Sequence, residues 1–169
     1  EGVGNGVPYV DARAQACDFS CDATQCVRAC PTGALSHLID KKEQVTMGVA
    51  KLTRPDACLA RQGKGFRGVT RGKDFTGRLR YVDIDRWKPK PVASHPYDLA
   101  LCDLCVRECP IKGAIALEAF AGGDGSAKTP VVKETCVGCG VCEMVCPVES
   151  AAITIEVKVN GREPKRAGA

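Results

Sequence analysis

The sequence predicts a small α+β domain that is stapled through its cysteines rather than by a large apolar core. Twelve of the 169 residues are cysteines, while aromatic residues make up only 5% of the chain. So few large apolar side chains build a thin core, which usually needs disulfides, metals or a partner. Most of the cysteines fall into sets that end in Cys-Pro, and each ending leads into a similar short segment.

The spacing of the cysteines indicates what they bind. The last set, Cys136-x2-Cys139-x2-Cys142-x3-Cys146-Pro147, has the spacing of bacterial ferredoxins, in which three thiolates hold one [4Fe–4S] cluster and the fourth crosses to another. We expect the fourth cysteine to open a helix that points away from the loop. The looser sets are Cys17-x3-Cys21-x4-Cys26-x3-Cys30-Pro31 and a lone Cys58 followed by Cys102-x2-Cys105-x3-Cys109-Pro110.

We therefore expect all twelve cysteines to be iron ligands, in three [4Fe–4S] clusters with two as the minimum. A disulfide framework has no use for three Cys-Pro endings. Zinc suits isolated C-x2-C pairs, but a third cysteine only three residues further on crowds a tetrahedral site. With this many thiols, His37 and His95 are expected to be ordinary loop residues. No catalytic or dinucleotide-binding motif occurs, which predicts an electron carrier without catalytic side chains of its own.

The segments around the cysteine sets form an internal repeat. The tails that end at Leu117 and Ile155 alternate apolar and polar residues, which predicts short strands. Residues 48–52 and 129–133 are also strand-like. The predicted unit is strand, cysteine loop, short helix, strand. This is the ferredoxin-like plan with dicluster repeats, in which the clusters stand in for an apolar core.

Residues 59–101, called the insertion below, interrupt this pattern. They contain ten Lys or Arg, four Asp and five of the eight aromatic residues. We expect either a solvated insertion with its own aromatic cluster or a docking surface for an acidic partner. The insertion has no nucleic-acid-binding frame, and a net charge of only +4 does not by itself indicate nucleic-acid binding. No apolar run reaches the roughly 18 residues that span a bilayer, so no transmembrane segment is predicted.

We expect one compact domain with four segments. Residues 1–58 carry the first cysteine set and a linking strand, and residues 59–101 form the insertion. Residues 102–159 carry two ferredoxin-type sets, and residues 160–169 form a flexible tail.

With these motifs placed, the chain resembles the NapG/MauM group of ferredoxin-type proteins. More distantly, it is similar to the iron–sulfur subunits of molybdopterin oxidoreductases. The segments that carry the resemblance are Gly6–Val10 ahead of Cys17, Cys26–Leu35, Met47–Leu52 followed by Cys58, Cys102–Pro110 and Cys136–Glu143. The family implies electron transfer between a quinol-linked membrane partner and a periplasmic reductase or cytochrome. It also implies a periplasmic location, although a cytoplasmic one stays open, since a start at Glu1 fits a processed form or a fragment.

The chain departs from the family in two respects. The stretch between Cys58 and Cys102 is much longer than in the family, and the family's first cysteine set is missing upstream of Cys17. The crossover pattern of ferredoxins implies three ligand groups: Cys17, Cys21, Cys26 and Cys109; Cys30, Cys58, Cys102 and Cys105; and Cys136, Cys139, Cys142 and Cys146. The third group lacks its usual fourth ligand. Either Cys146 folds back, the crossovers differ, or a partner or an N-terminal region completes it.

These observations predict an electron-transfer protein that passes single electrons through two to three [4Fe–4S] clusters. The alternative is an electron-transfer subunit built permanently into a larger oxidoreductase, with the insertion as its interface. A remote alternative is a zinc-stapled binding module.

Overall fold

The structure, a computed structural model, describes residues 10–157 except Asp22, Gly33, Ala34, Ser36, Val82 and Asp124. Three four-residue helices occur within these ranges: α1 (Gln25–Arg28), α2 (Leu104–Arg107) and α3 (Val141–Met144). The strands are β1 (Val49–Leu52), β2 (Phe66–Val69), β3 (Arg78–Leu79), β4 (Lys90–Pro91), β5 (Pro96–Leu99), β6 (Ile115–Glu118), β7 (Thr129–Val132) and β8 (Ile153–Glu156). Most of the predicted approach to Cys17, part of the tail after Cys30 and the predicted flexible tail lie outside the described residues.

Two antiparallel strand pairs frame the cysteine loops. Strand β1 pairs with β8, with Ala50 opposite Ile155, and β6 pairs with β7, with Ile115 opposite Val132. All four strands fall on segments that the alternation of the sequence predicts as strands, and those predictions are confirmed. The pairing of β1 with β8 joins segments about 100 residues apart and brings the two ends of the ferredoxin-like unit together.

The three helices repeat one local arrangement. In each, the second residue is a cysteine, namely Cys26, Cys105 or Cys142, and the next cysteine follows four residues later, directly before a proline. The expectation that this later cysteine opens a helix is wrong, because each helix ends before it. The cause is local: proline has no N–H to continue the helix, and it disfavours helical geometry in the residue that precedes it.

The insertion is a folded part of the same core. Within it, β2 pairs with β5 and β3 pairs with β4, both antiparallel. The ring of His95 stacks on Tyr81 at a centroid distance of 3.8 Å and meets the edge of Tyr97 at 4.8 Å. The expected aromatic cluster therefore exists, but it does not stand alone. Its buried residues pack against the cluster-bearing helices in one apolar group: Ala16, Leu79, Tyr81, Val92, Tyr97, Leu104, Val141, Met144 and Val145.

A second apolar group contains cysteines as core residues. Cys58, Cys142 and Cys146 are buried there together with small side chains and two isoleucines of β6 and β8. A core built from thiols and alanines is what a chain poor in large apolar residues requires. In the described part of the chain, no helix has the length and apolar character needed to cross a membrane.

Candidate metal centre

One cavity brings together cysteines from both sides of the insertion. Cys58, Cys102, Cys105 and Cys146 line it, Cys142 also borders it, and the other lining residues are all apolar. Cys58 precedes the insertion, and Cys102 and Cys105 follow it. The two ends of the folded insertion therefore lie at the same cavity. Soft thiolate ligands in an apolar surround fit an iron–sulfur cluster.

A second cavity collects the remaining cysteines of this region. Cys109, Cys136, Cys139 and Cys142 line it, again among apolar residues and Gly140. Cys142, on helix α3, borders both cavities, and the two sites are therefore neighbours. With Cys142 counted at the second cavity, four cysteines line each cavity, which is the number of ligands that a [4Fe–4S] cluster requires.

This arrangement differs from the expected ligand groups. Cys146 lines the cavity of Cys58, where Cys30 was expected, and Cys109 lines the cavity of Cys136 instead of joining Cys17. The physical reason is the length of the helices. One turn of α3 advances the chain by about 5–6 Å, which carries Cys146 out of the loop that holds Cys136 and towards the neighbouring site. Likewise, Cys105 on helix α2 lines the first cavity, whereas Cys109, which follows that helix, lines the second.

The first cysteine set lies beside the second cavity. Burial raises the pKa of the Cys17 thiol, and the nearby Asp18, Cys21 and Cys26 raise it further. The backbone N–H of Cys17 donates to the carbonyl of Cys139 at 3.0 Å. Cys26 is exposed to solvent, unlike the ligand candidates of the two cavities. Cys30 follows α1, and its sulfur lies 3.5 Å from the hydroxyl of Thr32.

Burial makes the thiols of Cys102, Cys105, Cys139 and Cys142 poor acids in the absence of a metal. It raises the pKa of Cys102 to about 11 and that of Cys139 to about 12. It raises the pKa values of Cys105 and Cys142 strongly, and neighbouring cysteines add to the effect. Several thiolates in an apolar site repel one another and lack solvation, and positively charged iron removes both penalties. The arrangement therefore favours a metal-bound state.

Backbone N–H groups donate hydrogen bonds to two of the cysteine sulfurs. The N–H of Ala50 donates to the sulfur of Cys136, and the N–H of Ala152 donates to the sulfur of Cys146, both at 3.4 Å. Such N–H···S hydrogen bonds stabilise the extra negative charge of a reduced cluster and raise its potential. Gly138 has a φ of 70°, and a Cβ at this position would lie 2.4 Å from the backbone nitrogen of Gly48. Only glycine fits there.

Within the described ranges, no three His, Cys, Asp or Glu side chains converge closely enough to hold a single metal ion. The cysteines line two cavities, and several thiols spread around a cavity fit a multi-iron group. His37 lies near the first set, with its Nε2 3.3 Å from the carbonyl oxygen of Cys30, and His95 lies in the aromatic cluster.

Sequence reasoning missed the arginine at the end of helix α3. The guanidinium of Arg13 donates to the carbonyls of Glu143 at 2.6 Å, Cys146 at 2.8 Å and Val148 at 2.9 Å. It also missed the ion pair of Asp18 with Arg80. No sequence motif marks either arginine, since each guanidinium contacts groups that lie 60 or more residues away in the sequence.

Two cysteine-lined cavities that share Cys142, in an α+β frame of paired short strands, are the arrangement of a ferredoxin-type iron–sulfur fold. Residues 100–150 match the family model described as "4Fe-4S dicluster domain". The cofactors are therefore [4Fe–4S] clusters, and the protein is an electron-transfer protein. The matched segment holds seven of the twelve cysteines. It leaves out Cys58, which lies far upstream in the sequence but lines the first cavity.

The chain is similar to curated ferredoxin-type proteins named MauM and NapG, as the sequence motifs predict. It is 33% identical over 89% of its length to the methylamine utilization ferredoxin-type protein MauM of Methylobacillus flagellatus, of which it covers 49%. The MauM protein of Paracoccus denitrificans is 31% identical over 96% of the chain, which covers 58% of that relative. The ferredoxin-type protein NapG of Escherichia coli is 32% identical over 91% of the chain, with 53% of the relative covered.

The chain thus spans about half the length of the curated relatives it matches. No solved structure matches it.

Proposed function

We propose that the chain passes single electrons along a row of three [4Fe–4S] clusters. The observation that carries this proposal is the position of helix α3, whose Cys142 borders both cavities. The proposed ligands of the first site are Cys58, Cys102, Cys105 and Cys146, and those of the second are Cys109, Cys136, Cys139 and Cys142. Cys17, Cys21 and Cys26 hold the third, and Cys30 is the one cysteine of the chain left to complete it.

The order of the three sites follows from two contacts. Cys142 of helix α3 borders both the first site and the second, and the hydrogen bond from the N–H of Cys17 to the carbonyl of Cys139 joins the third site to the second. The site of Cys136 is therefore the central one. Each cluster, when bound, takes up or gives off one electron. The cysteines and the apolar walls keep the sites close, exclude water and leave Cys26 at the exposed end of the row.

Double cysteine variants test these ligand sets. Each single Cys→Ala change should remove one cluster, which is roughly four iron atoms. Because Cys58 and Cys146 share a site in the proposal, the variant with both changed should retain about eight iron atoms, the same as either single variant. The variant with both Cys58 and Cys30 changed should retain only about four. The measurement is iron and acid-labile sulfide per chain on anaerobically purified protein.

The opposite pattern would refute the proposed sets. If the Cys58 and Cys30 variants lost the same iron and the Cys58 and Cys146 variants lost additional iron, Cys30 would be the fourth ligand of the first site. A chain that binds stoichiometric zinc and no iron would overturn the electron-transfer role altogether.

We further propose that the redox partners dock on the insertion. Trp87 is 65% exposed and Ile84 is 47% exposed on one turn of this segment. The guanidinium of Arg86 lies 4.7 Å from the centre of the Trp87 ring. An exposed tryptophan beside basic side chains suits a partner with an acidic surface, since electrostatic attraction steers encounter and the aromatic ring supplies contact area.

The resemblance to NapG and MauM supports a place in the periplasm, between a quinol-linked or cytochrome partner and a reductase. Cell fractionation of the protein in its native host tests the location. Neither the proposed sites nor the route between them requires a catalytic side chain, so the role is that of an electron carrier.

Exposed apolar side chains also favour a second candidate, a permanently bound electron-transfer subunit. Leu38 is 92% exposed, and Trp87 adds a second exposed apolar group. Large apolar and aromatic side chains are enriched in the buried centre of permanent interfaces. Gel filtration of the iron-loaded protein distinguishes the two candidates: a carrier is a stable monomer, whereas a subunit elutes with its partner from native extracts.

A further inference from the structure

The end of helix α3 is held by a side chain from a distant part of the sequence. Arg13 donates to the carbonyls of Glu143, Cys146 and Val148, at 2.6, 2.8 and 2.9 Å. The last carbonyls of a helix lack their regular partner four residues on, and Pro147 cannot supply an N–H to the following turn. The carbonyl of Glu143 accepts a long 3.3 Å hydrogen bond from the N–H of Cys146. The planar guanidinium has several donors in a fixed fork, so one side chain can satisfy all three carbonyls.

Arg13 is itself fixed on both sides. Its backbone N–H donates to the carboxylate of Asp11 at 3.0 Å, and its carbonyl accepts a 2.7 Å hydrogen bond from the guanidinium of Arg71. Arg71 belongs to the insertion, where its guanidinium lies 4.3 Å from the centre of the Phe75 ring. A continuous series of contacts therefore runs from the insertion through Arg13 to the backbone of Cys146.

The positive charge of Arg13 lies close to the first cavity, where it affects the charge balance of a bound cluster. The side chain is half-buried, and its guanidinium contacts the backbone of Cys146, which lines the first cavity. A guanidinium stays protonated in proteins, and a positive charge acts more strongly in a partly buried site than in water. Reduction of a cluster adds one negative charge nearby, so the cation favours the reduced form.

Two carboxylates reduce this effect without removing it. Glu143 and Glu149 both lie close enough to interact with Arg13. One oxygen of Glu143 accepts the N–H of Ile155 at 2.7 Å, so this carboxylate is occupied by the backbone of β8. Arg71 adds a second positive charge beside Arg13. A third carboxylate, that of Asp11, lies beside the backbone of Arg13 and interacts with Glu143. Loss of one arginine therefore makes the surroundings of Cys146 more negative.

We propose that Arg13 is a positioning residue that holds the loop of Cys146 and, through its charge, raises the reduction potential of the cluster bound there. This inference rests on the proposed assignment of Cys146 to the site of Cys58, Cys102 and Cys105. The anchoring contact from Arg71 makes this potential dependent on the insertion.

The test compares the variants Arg13→Gln, Arg13→Lys and Arg54→Gln by redox titration of the iron-loaded protein, followed by EPR. In Arg13→Gln, the ratio of reduced to oxidised cluster at a fixed potential should fall by about three- to tenfold; a tenfold change corresponds to about 59 mV for a one-electron couple. Arg13→Lys keeps the charge but not the fork, so its potential should stay closer to that of the unmodified protein. The affected cluster should be the one that Cys146→Ala removes.

Arg54 provides the matched control. It also donates from its guanidinium to backbone carbonyls, those of Glu149 and Ser150, but it is exposed. Water screens an exposed charge, and Arg54→Gln should leave all potentials unchanged. If Arg13→Gln does not retain its iron, Arg71→Gln is expected to give a smaller shift in the same direction.

Equal potentials in the Gln and Lys variants of Arg13 would overturn the proposed role of its charge. So would the absence of any shift in Arg71→Gln where Arg13→Gln loses the cluster. A shift confined to a cluster that survives in Cys146→Ala would overturn the assignment to the first site. The double cysteine variants check the ligand set separately, so failure of the ligand set and failure of the role of Arg13 give different results.

Discussion

The guanidinium of Arg80 donates to the carboxylate of Asp18, the residue directly after Cys17, at 2.6 Å. The same guanidinium nitrogen donates to the hydroxyl of Ser20 at 2.9 Å. Burial alone would raise the pKa of Asp18, but hydrogen bonds from Ser20 and Arg80 outweigh it and hold that pKa below its ordinary value. A basic residue of the insertion therefore holds the first cysteine loop in place, which is a structural role for part of the insertion's positive charge.

Replacing Arg80 with Gln should weaken the first cysteine set. The side chains of Arg80 and Asp18 are 34% and 16% exposed, and loss of a charge-assisted hydrogen bond in such a place costs about 1–3 kcal/mol. We expect loss of up to roughly four iron atoms per chain, with the other sites retained. Iron analysis and EPR measure the outcome.

Arg67→Gln is the control for that change, because it breaks another Arg–Asp pair within the same insertion. Arg67 and Asp98 are 82% and 71% exposed, and such surface pairs contribute about 0–1 kcal/mol. Iron content should stay unchanged. Equal iron loss in both variants would mean that Arg80 has no specific role at the Cys17 loop.

Gly138→Ala should prevent assembly of the central site. Gly138 lies between Cys136 and Cys139 with a φ of 70°, and its added Cβ would lie within 2.6 Å of three backbone atoms of Gly48. Backbone atoms cannot move aside without disturbing β1. We expect iron at the central site to fall below half of its normal occupancy, as measured by iron content and by loss of its EPR signal.

Gly113→Ala separates this steric effect from simple backbone strain. Gly113 has a comparable φ of 80°, but a Cβ there would meet no atom within 4 Å. Its substitution should cost only the roughly 1–2 kcal/mol of a left-handed residue, with all clusters retained. If Gly113→Ala lost as much iron as Gly138→Ala, strain rather than contact would decide both outcomes.

Tyr97 and Glu108 should be energetically coupled. The hydroxyl of Tyr97 donates to the carboxylate of Glu108 at 3.1 Å, and Glu108 directly precedes Cys109. Tyr97→Phe removes a donor from a half-buried carboxylate, which costs about 1–3 kcal/mol. A double-mutant cycle with Glu108→Ala, which removes the acceptor, should give a coupling free energy of about 1 kcal/mol or more. Denaturant unfolding of the iron-loaded protein measures it, and additive effects would contradict the coupling.

Trp87→Ala should slow electron transfer to a protein partner without changing the protein itself. Trp87 is exposed and contacts Arg86, so its removal affects no buried site. We expect a fall of at least tenfold in the second-order rate with the physiological partner, because exposed tryptophans often dominate interface energies. The rate should also fall as salt rises, since salt screens attraction between a basic and an acidic surface. Val157→Ala, another exposed apolar change, serves as the control, and equal slowing in both variants would contradict docking at Trp87.

The sequence by itself determined the nature of the cofactor and the local elements around it. Cysteine spacing within each loop is a short-range property, because three ligands of one cluster must come from a few consecutive residues. The strands that contain Ala50, Ile115, Val131 and Ile153 were likewise predictable, since alternation along a half-buried strand is local. The ends of the short helices were not predicted correctly, since we expected a helix to open at the final cysteine, whereas each helix ends before it.

The tertiary structure decided which loops share a site. Cys146 reaches the cavity of Cys58, and Cys109 reaches that of Cys136, because the helices and the β1–β8 pairing set positions that spacing alone leaves open. The contacts of Arg13 with Cys146 and of Arg80 with Asp18 span 133 and 62 residues. Long-range contacts of this kind leave no periodic pattern in the chain, because they depend on how separately formed elements pack. For the same reason, only the fold shows that the insertion is part of the core and supports the cysteine loops.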